Sequence, residues 1–462
     1  MNKETKTDIL KRNHPKIISM IAQKYSYATI SSYLENMEGV KITSNQLSKF
    51  ISNNKRKNKI KPSVEDDEPI ELYLNNQRYA ILSRTNSTYH FSYVSEYKGD
   101  KVHKEGIYYS FPYFLDNLLT EGPNFRNDAE GFGTKDKFLI FKQMSDTYGA
   151  LSTVPLNKKI IKFGFVPQLY SHTFIDIKNI VLDIPEVIIE KKRNNKVFSG
   201  ETKMSKLSGA QPKISIVFEG SKKVIRLQKD NEFSNAMLKV DNLDFQDLNL
   251  IENMLLFFAK YELGFEVSNA FVVIDNQEEK GFIGQKQSHL VVERFDRTKL
   301  SPLIEAYEAL TLLGISTKHK YDIEMSAMFG KLKEVLPRDD VDKLAQQLFF
   351  SYLVGNGDHH AKNISVIKTE NGYRLSPLYD VVTTRVYPKL DSDDIAMTIN
   401  GSNKISKKEF VEFLSPFCQN GEKSLLKIAE IVNKKLIKYV QCTPFEENVQ
   451  KSLIKLYEKN MR

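Results

Sequence analysis

Apolar and polar residues alternate over many short stretches between residues 70 and 297, and this period of two predicts β-strands. Residues 70–82 and 213–227 each contain two such stretches around a short polar turn, which predicts two β-hairpins. Apolar residues three and four apart predict helices at 248–262, 341–354 and 421–438. A strand-rich part with one helix, followed by a helical part, predicts an α+β fold of two lobes with a cleft between them.

Changes in this pattern indicate boundaries between domains. The segment 62–69 has a proline at each end, acidic residues between them and no apolar period, which is typical of a linker. We therefore predict a small all-α module before it, and after it a β-rich accessory subdomain and the two lobes. The predicted limits are 1–61 for the module, 62–69 for the linker, 70–155 for the accessory subdomain, 156–297 for the strand-rich lobe and 298–462 for the helical lobe.

The formal charge of +9 belongs entirely to the first module. Residues 1–61 contain 13 Lys and Arg but 4 Asp and Glu, and the remainder of the chain is neutral. A localised basic excess is typical of a nucleic-acid-binding segment joined to a neutral body. The order of apolar stretches, with a glycine turn before a helix capped by Thr43 and Gln46, predicts a helix-turn-helix unit. The DNA-binding candidates are Thr43, Ser44, Asn45, Gln46, Lys49, Lys55, Arg56 and Lys57. The alternative is a basic helical bundle that contacts another protein.

The remaining composition excludes several classes of protein. Cys418 and Cys442 form no Cys-x-x-Cys pair, which disfavours a structural zinc site or a disulfide framework. The first residues lead into no apolar stretch of the kind found in secretory signals. No run of about 18 apolar residues predicts a transmembrane helix. We therefore expect a cytoplasmic protein with no membrane partner.

The strongest chemical signal is the sequence Asp358-His-His-Ala-Lys-Asn363, which directly follows an apolar stretch. Protein kinases use a loop in which an Asp accepts the proton of the substrate hydroxyl and an Asn five positions later binds Mg²⁺. Residues 364–375 predict a hairpin after this loop, and Asp380 follows the hairpin as a second carboxylate for metal. The pattern predicts ATP and Mg²⁺ as cofactors, Asp358 as the base, and Asn363 and Asp380 as the metal ligands.

Three further features are weaker on their own. His359 and His360 suggest a metal hydrolase, but no other cluster has metal-ligand spacing, and His360 fits a role in bracing the loop. The small-residue segment Ser208–Lys213 precedes a strand and predicts exposed backbone amides for phosphate, although an ordinary turn has the same composition. On the next strand Arg226 stands at the position expected for an ATP-binding lysine, with Glu252 on the following helix as its ion-pair partner.

Together these motifs resemble the HipA family of bacterial serine/threonine kinases, which are toxins of toxin–antitoxin systems. The similarity covers residues 70–440. The matching motifs are Ser208-Gly-Ala-Gln-Pro-Lys213, Val292-Glu-Arg-Phe-Asp-Arg297, residues 355–365, Pro377-Leu-Tyr-Asp380, residues 114–122 and Tyr148-Gly-Ala150. The order and combination of these motifs favour a kinase, and the first module is an addition to the basic family pattern.

The resemblance implies a set of site residues. It makes Asp358 the catalytic base and Asn363 and Asp380 the Mg²⁺ ligands. It implies ATP contacts from Ser208, Gly209, Ala210, Gln211, Pro212 and Lys213 in a phosphate loop, from Glu293 and Phe295 at the adenine, and from Arg226, Glu252 and His360. The family has a lysine where this chain has Arg226, and Lys229 is the alternative for that role.

The resemblance also implies regulation and partners. Family members phosphorylate a serine of their own just before the phosphate loop, and the corresponding candidates here are Ser205 and Ser208. A growth-arresting toxin of this type would act on a translation component such as an aminoacyl-tRNA synthetase, bind an antitoxin protein and, through residues 1–61, control its own promoter. The alternative is a weak or inactive kinase that acts as a nucleotide-sensing transcriptional regulator bound to DNA.

Overall fold

The structure is a computed structural model with mixed α and β content, which confirms the α+β class predicted from the sequence. It describes residues 67–119, 134–144, 147–153, 180–184, 211–220, 222–229, 232–242, 244–276, 286–297, 303–388 and 393–461, together with a few single positions outside these ranges. Among the helices of these described residues, none is long and apolar enough to cross a membrane.

The first sheet, which we term the accessory sheet, has five strands in the order β4-β3-β2-β1-β5. Its elements are β1 (Ile70–Leu74), β2 (Gln77–Thr85), β3 (Thr88–Tyr93), β4 (Gly106–Tyr108), α1 (Tyr113–Asp116), α2 (Lys137–Gln143) and β5 (Leu151–Ser152). Strands β1 and β2 form the predicted hairpin, and its turn residues Asn75 and Asn76 both have positive φ angles, 49° and 67°. Asparagine tolerates this left-handed conformation, which matches the twist of a two-residue hairpin.

The second sheet, the central sheet, has six strands in the order β10-β11-β9-β7-β8-β6. Its elements are β6 (Val181–Asp183), β7 (Lys213–Glu219), β8 (Val224–Leu227), β9 (Ala236–Lys239), α3 (Leu248–Tyr261), β10 (Ala270–Asn276) and β11 (Lys286–Glu293). The hairpin predicted at 213–227 is confirmed by the antiparallel pairing of β7 and β8. The predicted helix at 248–262 is α3, whose Leu250 packs against β10 and β11.

The rest of the described chain is mainly helical and contains a small three-stranded sheet, ordered β12-β13-β14. Its elements are β12 (Ala306–Glu308), α4 (Ala309–Leu312), α5 (Met325–Val335), α6 (Arg338–Leu353), β13 (Ser365–Thr369), β14 (Gly372–Leu375), α7 (Lys407–Leu414), α8 (Glu422–Cys442) and α9 (Glu447–Met461). The pairing of β13 with β14 confirms the predicted hairpin after Asn363.

One large apolar core joins α3 to this helical region. Phe258 of α3 stacks on Phe350 of α6 with the ring centroids 6.0 Å apart, and both side chains are fully buried. Because α3 also packs on the central sheet, it is the element that fixes that sheet relative to α6. The loop that follows α6 contains Asp358, so this packing positions the catalytic candidates against the central sheet.

Candidate active site

A buried lysine at the end of β9 joins the central sheet to the helical region. The Lys239 Nζ donates hydrogen bonds to both carboxylate oxygens of Glu252 on α3, at 2.7 and 2.6 Å, and to Oδ1 of Asp380 at 2.6 Å. Glu252 has no exposed surface and 28% of the Asp380 side chain is accessible. The ammonium group of Lys239 therefore bridges the carboxylate of Glu252, on α3, and the carboxylate of Asp380, which follows β14 in the chain.

The charges of Lys239 and Asp380 stabilise each other, whereas burial raises the pKa of Glu252 to about 7. Burial alone would lower the pKa of Lys239, but the carboxylates of Asp380 and Glu252 raise it above its usual range. Burial would likewise raise the pKa of Asp380, but Lys239 and Lys213 outweigh this effect and lower it to about 2. Lys239 is therefore charged and Asp380 ionised at neutral pH. Asp380 also adopts a positive φ of 56°, a conformation that aspartate tolerates better than most residues.

The predicted pairing of Arg226 with Glu252 is wrong. Arg226 Nε donates to Glu219 at 2.6 Å, and its two terminal nitrogens donate to the carboxylate of Glu232 at 2.6 and 2.7 Å. The alternative residue Lys229 touches the same cluster through its backbone, since its amide donates to Glu232 at 2.9 Å. The physical reason is the strand order, because β8 lies on the far side of β7 from β9.

The cation that pairs with Glu252 is therefore Lys239 on β9, which the sequence pattern did not single out. A signal was available: a short apolar stretch with one lysine, Ala236–Val240, lies between the hairpin and α3. Lys239 is directly opposite Lys213 in the pairing of β7 with β9, so it adjoins the end of the predicted phosphate loop. The position of a strand within a sheet is not visible in a single sequence.

The loop after α6 holds Asp358 in a tight backbone conformation. Gly355 has a φ of +70°, and a Cβ at Gly357 would lie 2.8 Å from the backbone oxygen of Asp393, so both glycines are required by the geometry. The Asn356 side chain accepts from the amide of Asp358 at 3.1 Å. The loop is therefore held by the Asn356 side chain and by its close packing against the backbone of Asp393.

Asn363 is tied to the same loop, as its spacing from Asp358 predicts. Its Nδ2 donates to the backbone oxygen of Asp358 at 3.0 Å, which turns the amide oxygen to the opposite side. Asp358 as a whole residue is 5% exposed. Its carboxylate accepts a 2.6 Å hydrogen bond from the hydroxyl of Tyr321. Tyr321 had no part in the sequence-based predictions.

The two histidines of the loop are buried. His359 Nδ1 lies 2.6 Å from the hydroxyl oxygen of Ser351 on α6, and burial lowers the pKa of His359 to about 4, so the ring is neutral at physiological pH. The ring of His360 meets the ring of Tyr321 edge to face, with centroids 5.1 Å apart. Among the described residues no group of three or more His, Cys, Asp or Glu is arranged to hold a metal.

The end of the predicted phosphate loop is anchored to α3 and β9. Gln211 is buried and its Nε2 donates to Asn249 Oδ1 at 2.7 Å, while the oxygen of Pro212 accepts from the amide of Val240 at 2.8 Å. Ser208, Gly209 and Ala210 lie outside the described residues, as does Ser205. The role of the segment in binding phosphate stays a prediction, but its last three residues lie beside the strand that ends in Lys239.

The segment after β11 connects several parts of the molecule. Glu293 Oε2 accepts from Asn269 Nδ2 at 2.6 Å. The ring of Phe295 packs on that of Tyr379, the neighbour of Asp380, with centroids 5.3 Å apart. The adenine contacts predicted for Glu293 and Phe295 are not tested by these packing interactions, but Phe295 does lie next to the Asp380 segment.

A magnesium site is compatible with the oxygen atoms of this region. Mg²⁺ binds through one or two carboxylates, amide oxygens, waters and nucleotide phosphates. Asp380 offers an ionised and partly exposed carboxylate, and Asn363 has its amide oxygen directed away from the bond to Asp358. The chemistry of these two donors fits Mg²⁺ bound together with a nucleotide.

The first module is described at only a few positions. There the predicted capping box is confirmed: the amide of Gln46 donates to Thr43 Oγ1 at 3.3 Å, and the amide of Thr43 donates to Gln46 Oε1 at 3.0 Å. Asn45 and Lys49 are exposed. The other DNA-binding candidates, Ser44, Lys55, Arg56 and Lys57, lie outside the described residues, and so does the rest of the predicted helix-turn-helix.

The fold and the site together define a chain of mixed α and β content, with a buried lysine–carboxylate group beside an Asp-x-x-x-x-Asn loop. The chain belongs to the HipA-like family, since the model of the HipA-like C-terminal domain matches residues 205–440.

Relatives agree with this membership. The chain is 27% identical over 300 residues to the Sinorhizobium fredii protein named "Putative kinase Y4mE", which covers 62% of this chain and 67% of that protein. It is 24% identical over 314 residues to the serine/threonine-protein kinase toxin HipA of Shewanella oneidensis, covering 62% and 66%. The chain therefore spans about two thirds of the length of these relatives.

A solved structure has the same fold. It belongs to the complex of the Shewanella oneidensis toxin–antitoxin proteins HipA and HipB with their operator DNA, and it matches with a TM-score of 0.60. The sequence identity is 19%, and the match covers 85% of this chain and 95% of the other.

Proposed function

We propose that this protein is a serine/threonine protein kinase of the HipA type that uses ATP and Mg²⁺. The observation on which the proposal depends most is the bridge from Lys239 to Glu252 and Asp380. A lysine held between a helix carboxylate and a metal-binding carboxylate is the arrangement by which protein kinases position the phosphates of ATP. The proposal includes a two-lobed architecture, with the nucleotide between the central sheet and the helical region.

Each residue of the site has one task in this proposal. Lys239 binds nucleotide phosphate, and Glu252 keeps its ammonium in place. The segment ending in Lys213 covers the phosphates, and Phe295 contacts the adenine with Glu293 beside it. When bound by Asn363 and Asp380, Mg²⁺ neutralises the charge of the phosphates.

The transfer step begins with the acceptor hydroxyl next to Asp358. As the hydroxyl oxygen forms a bond to the γ-phosphorus, the bond from that phosphorus to the β–γ bridging oxygen breaks and ADP leaves. The hydroxyl proton passes to the carboxylate of Asp358. Hydrogen bonds of Asn356 and Asn363 to the backbone of Asp358 hold the loop that carries this carboxylate in place before the substrate arrives.

The alternative of an inactive, nucleotide-sensing regulator loses its main support. That alternative depended on the replacement of the ATP-binding lysine by Arg226. With Lys239 available for the role, the chain retains a lysine, a partner glutamate, a base and two metal ligands. We therefore favour an active enzyme.

The test is transfer of label from [γ-³²P]ATP by the full chain. We expect incorporation into the protein itself, and the Asp358→Ala variant should lose roughly 10²- to 10⁴-fold in rate, the usual contribution of a positioned base. Phosphopeptide mapping of the same samples should find the label at Ser205 or Ser208. Incorporation that persists in Asp358→Ala would contradict the assignment of the base, and label at neither serine would contradict the proposed autophosphorylation.

We also propose that residues 1–61 bind DNA. The support is the basic excess of this segment, its capped helix, and the presence of operator DNA in the complex of the structural relative. In a gel-shift assay with DNA from the promoter of its own gene, the full chain should bind and a chain lacking residues 1–61 should not. Equal binding by both chains would assign DNA recognition to another surface.

A further inference from the structure

The carboxylate of Asp358 is oriented by a residue outside its own loop. The hydroxyl of Tyr321 donates to Oδ1 at 2.6 Å, and the tyrosine ring rests against the ring of His360. A hydrogen bond to an ionised carboxylate is stronger than one between neutral groups. Tyr321 is thus placed to fix the orientation of the Asp358 carboxylate.

Tyr321 belongs to a connecting segment, residues 311–325, which we term the strap. The end of the strap near α5 is firmly attached. Glu324 accepts from the hydroxyl of Thr398 at 2.8 Å and from the amide of Asn400 at 2.7 Å. The backbone oxygen of Ile323 also accepts from the amide of Thr398 at 2.9 Å.

The other end of the strap is held by the accessory subdomain. Asn117, just after α1, is 3% exposed. Its Oδ1 accepts from the amide and the hydroxyl of Thr317, at 2.9 and 2.7 Å. Its Nδ2 donates to Thr311 Oγ1 and to the oxygen of Ile315, both at 3.1 Å. Every hydrogen-bonding position of the Asn117 amide is therefore used on the strap.

A second contact joins the strap to the catalytic loop. Lys362, the residue before Asn363, approaches Thr317 Oγ1 to 3.5 Å. The hydroxyl of Thr317 thus lies between Asn117 and the loop that contains Asp358. Residues 114–122 had no chemical role in the sequence analysis, and these contacts supply one for Asn117.

We propose that the accessory subdomain organises the catalytic base: Asn117 fixes the strap, and the strap holds Tyr321 against Asp358. This inference rests on the proposed function of Asp358 as the base, and it makes Tyr321 a positioning residue. Because the strap is fixed at both ends, Tyr321 is preorganised rather than free to swing away. Preorganised donors accelerate a reaction because they need no rearrangement when charge moves.

The first test is Tyr321→Phe, which removes the hydroxyl and keeps the ring against His360. We expect kcat for protein phosphorylation to fall roughly 10- to 100-fold, the effect of losing a hydrogen bond to a charged group. The KM for ATP should stay within about twofold, because Tyr321 contacts the base and not the lysine–carboxylate group. The matched control is Tyr109→Phe, since Tyr109 is 88% exposed, and it should leave both constants unchanged.

The second test addresses the link to the accessory subdomain. Asn117→Ala and the milder Thr317→Ala should each lower kcat with little change in the KM for ATP. Hydrogen exchange of the peptide covering residues 355–363 should be faster in both variants and in Tyr321→Phe. Thermal melting of each variant checks that the chain remains folded, and Thr317→Ala keeps the test valid where Asn117→Ala unfolds.

The outcomes separate this inference from the proposed function. Wild-type chain without Asp358-dependent transfer would overturn the kinase assignment, while the exchange measurement still decides whether Asn117 and Tyr321 order the loop. Unchanged exchange at 355–363 in all three variants overturns the inference whatever the activity. A Tyr321→Phe variant with wild-type kcat overturns it as well.

Discussion

Two buried cations of the central sheet, Arg226 and Lys239, each bind two carboxylates, but they connect different parts of the molecule. Arg226 on β8 binds Glu219 and Glu232, and both carboxylates lie within the same sheet region. Lys239 on β9 binds Glu252 of α3 and also Asp380, which is 141 residues away in sequence. The Arg226 cluster joins residues of one region only. The Lys239 cluster connects the central sheet to the helical region, and one of its carboxylates, that of Asp380, is partly exposed.

The difference shows that ion-pair chemistry alone does not identify a functional cation. Arginine is suited to a structural cluster, because its planar fork satisfies two carboxylates at once and it cannot lose its proton. A lysine presents a compact charge that can exchange one partner for a phosphate oxygen. The position of the strand, between β7 and β11, then decides which cation adjoins the phosphate segment and the catalytic loop.

The largest expected effect comes from Lys239→Met, measured beside Arg226→Met as the matched variant. Loss of Lys239 should lower phosphoryl transfer roughly 10²- to 10³-fold, because a preorganised charge on the phosphates is removed. Arg226→Met should retain transfer within a few fold. Nucleotide binding measured by calorimetry, together with a melting curve for each variant, separates loss of the site from unfolding. Equal loss of transfer in folded samples of both variants would contradict the comparison.

The next largest effect is on folding stability, and here we expect it from the substitution of Arg226. Arg226→Met leaves the largely buried carboxylate of Glu232 without its cation and leaves Glu219 with Lys222 alone. Breaking such a cluster should cost about 3 kcal/mol in the free energy of unfolding. Chemical denaturation of wild type and variant, followed by circular dichroism, measures the cost. A conservative Arg226→Lys variant should recover only part of it, because the bidentate contact with Glu232 is lost.

The pH dependence of that stability loss is the smallest expected effect. Hydrogen bonds from Lys222 and Arg226 lower the pKa of Glu219 to about 2, from the usual 4.5. A carboxylate with a depressed folded-state pKa contributes stability above pH 4.5 and loses the contribution as the pH falls to 2. The difference in unfolding free energy between wild type and Arg226→Met should therefore shrink over this interval. A difference that stays constant from pH 5 to 2 would exclude Glu219 as its source.

Much of the candidate site follows from local patterns. The spacing of Asp358 and Asn363, the hairpin between them and Asp380, and the capping box of Thr43 and Gln46 depend on neighbours within a few residues along the chain. The confirmed hairpins and helix α3 likewise follow from periodicity and turn residues. These features could be predicted because their geometry is set by short-range backbone preferences.

The sequence by itself therefore determined the class of fold, the spacing within the Asp358–Asn363 loop and the charge of the first module. Only the tertiary structure decided which cation meets Glu252, that Asn117 bonds to the strap and that Tyr321 bonds to Asp358. Asn117 and Thr317 are 200 residues apart, and Tyr321 and Asp358 are 37 apart. Such pairs arise from the order of strands and the packing of α3, α6 and the strap. Long-range packing of this kind leaves no periodic signal in a single chain.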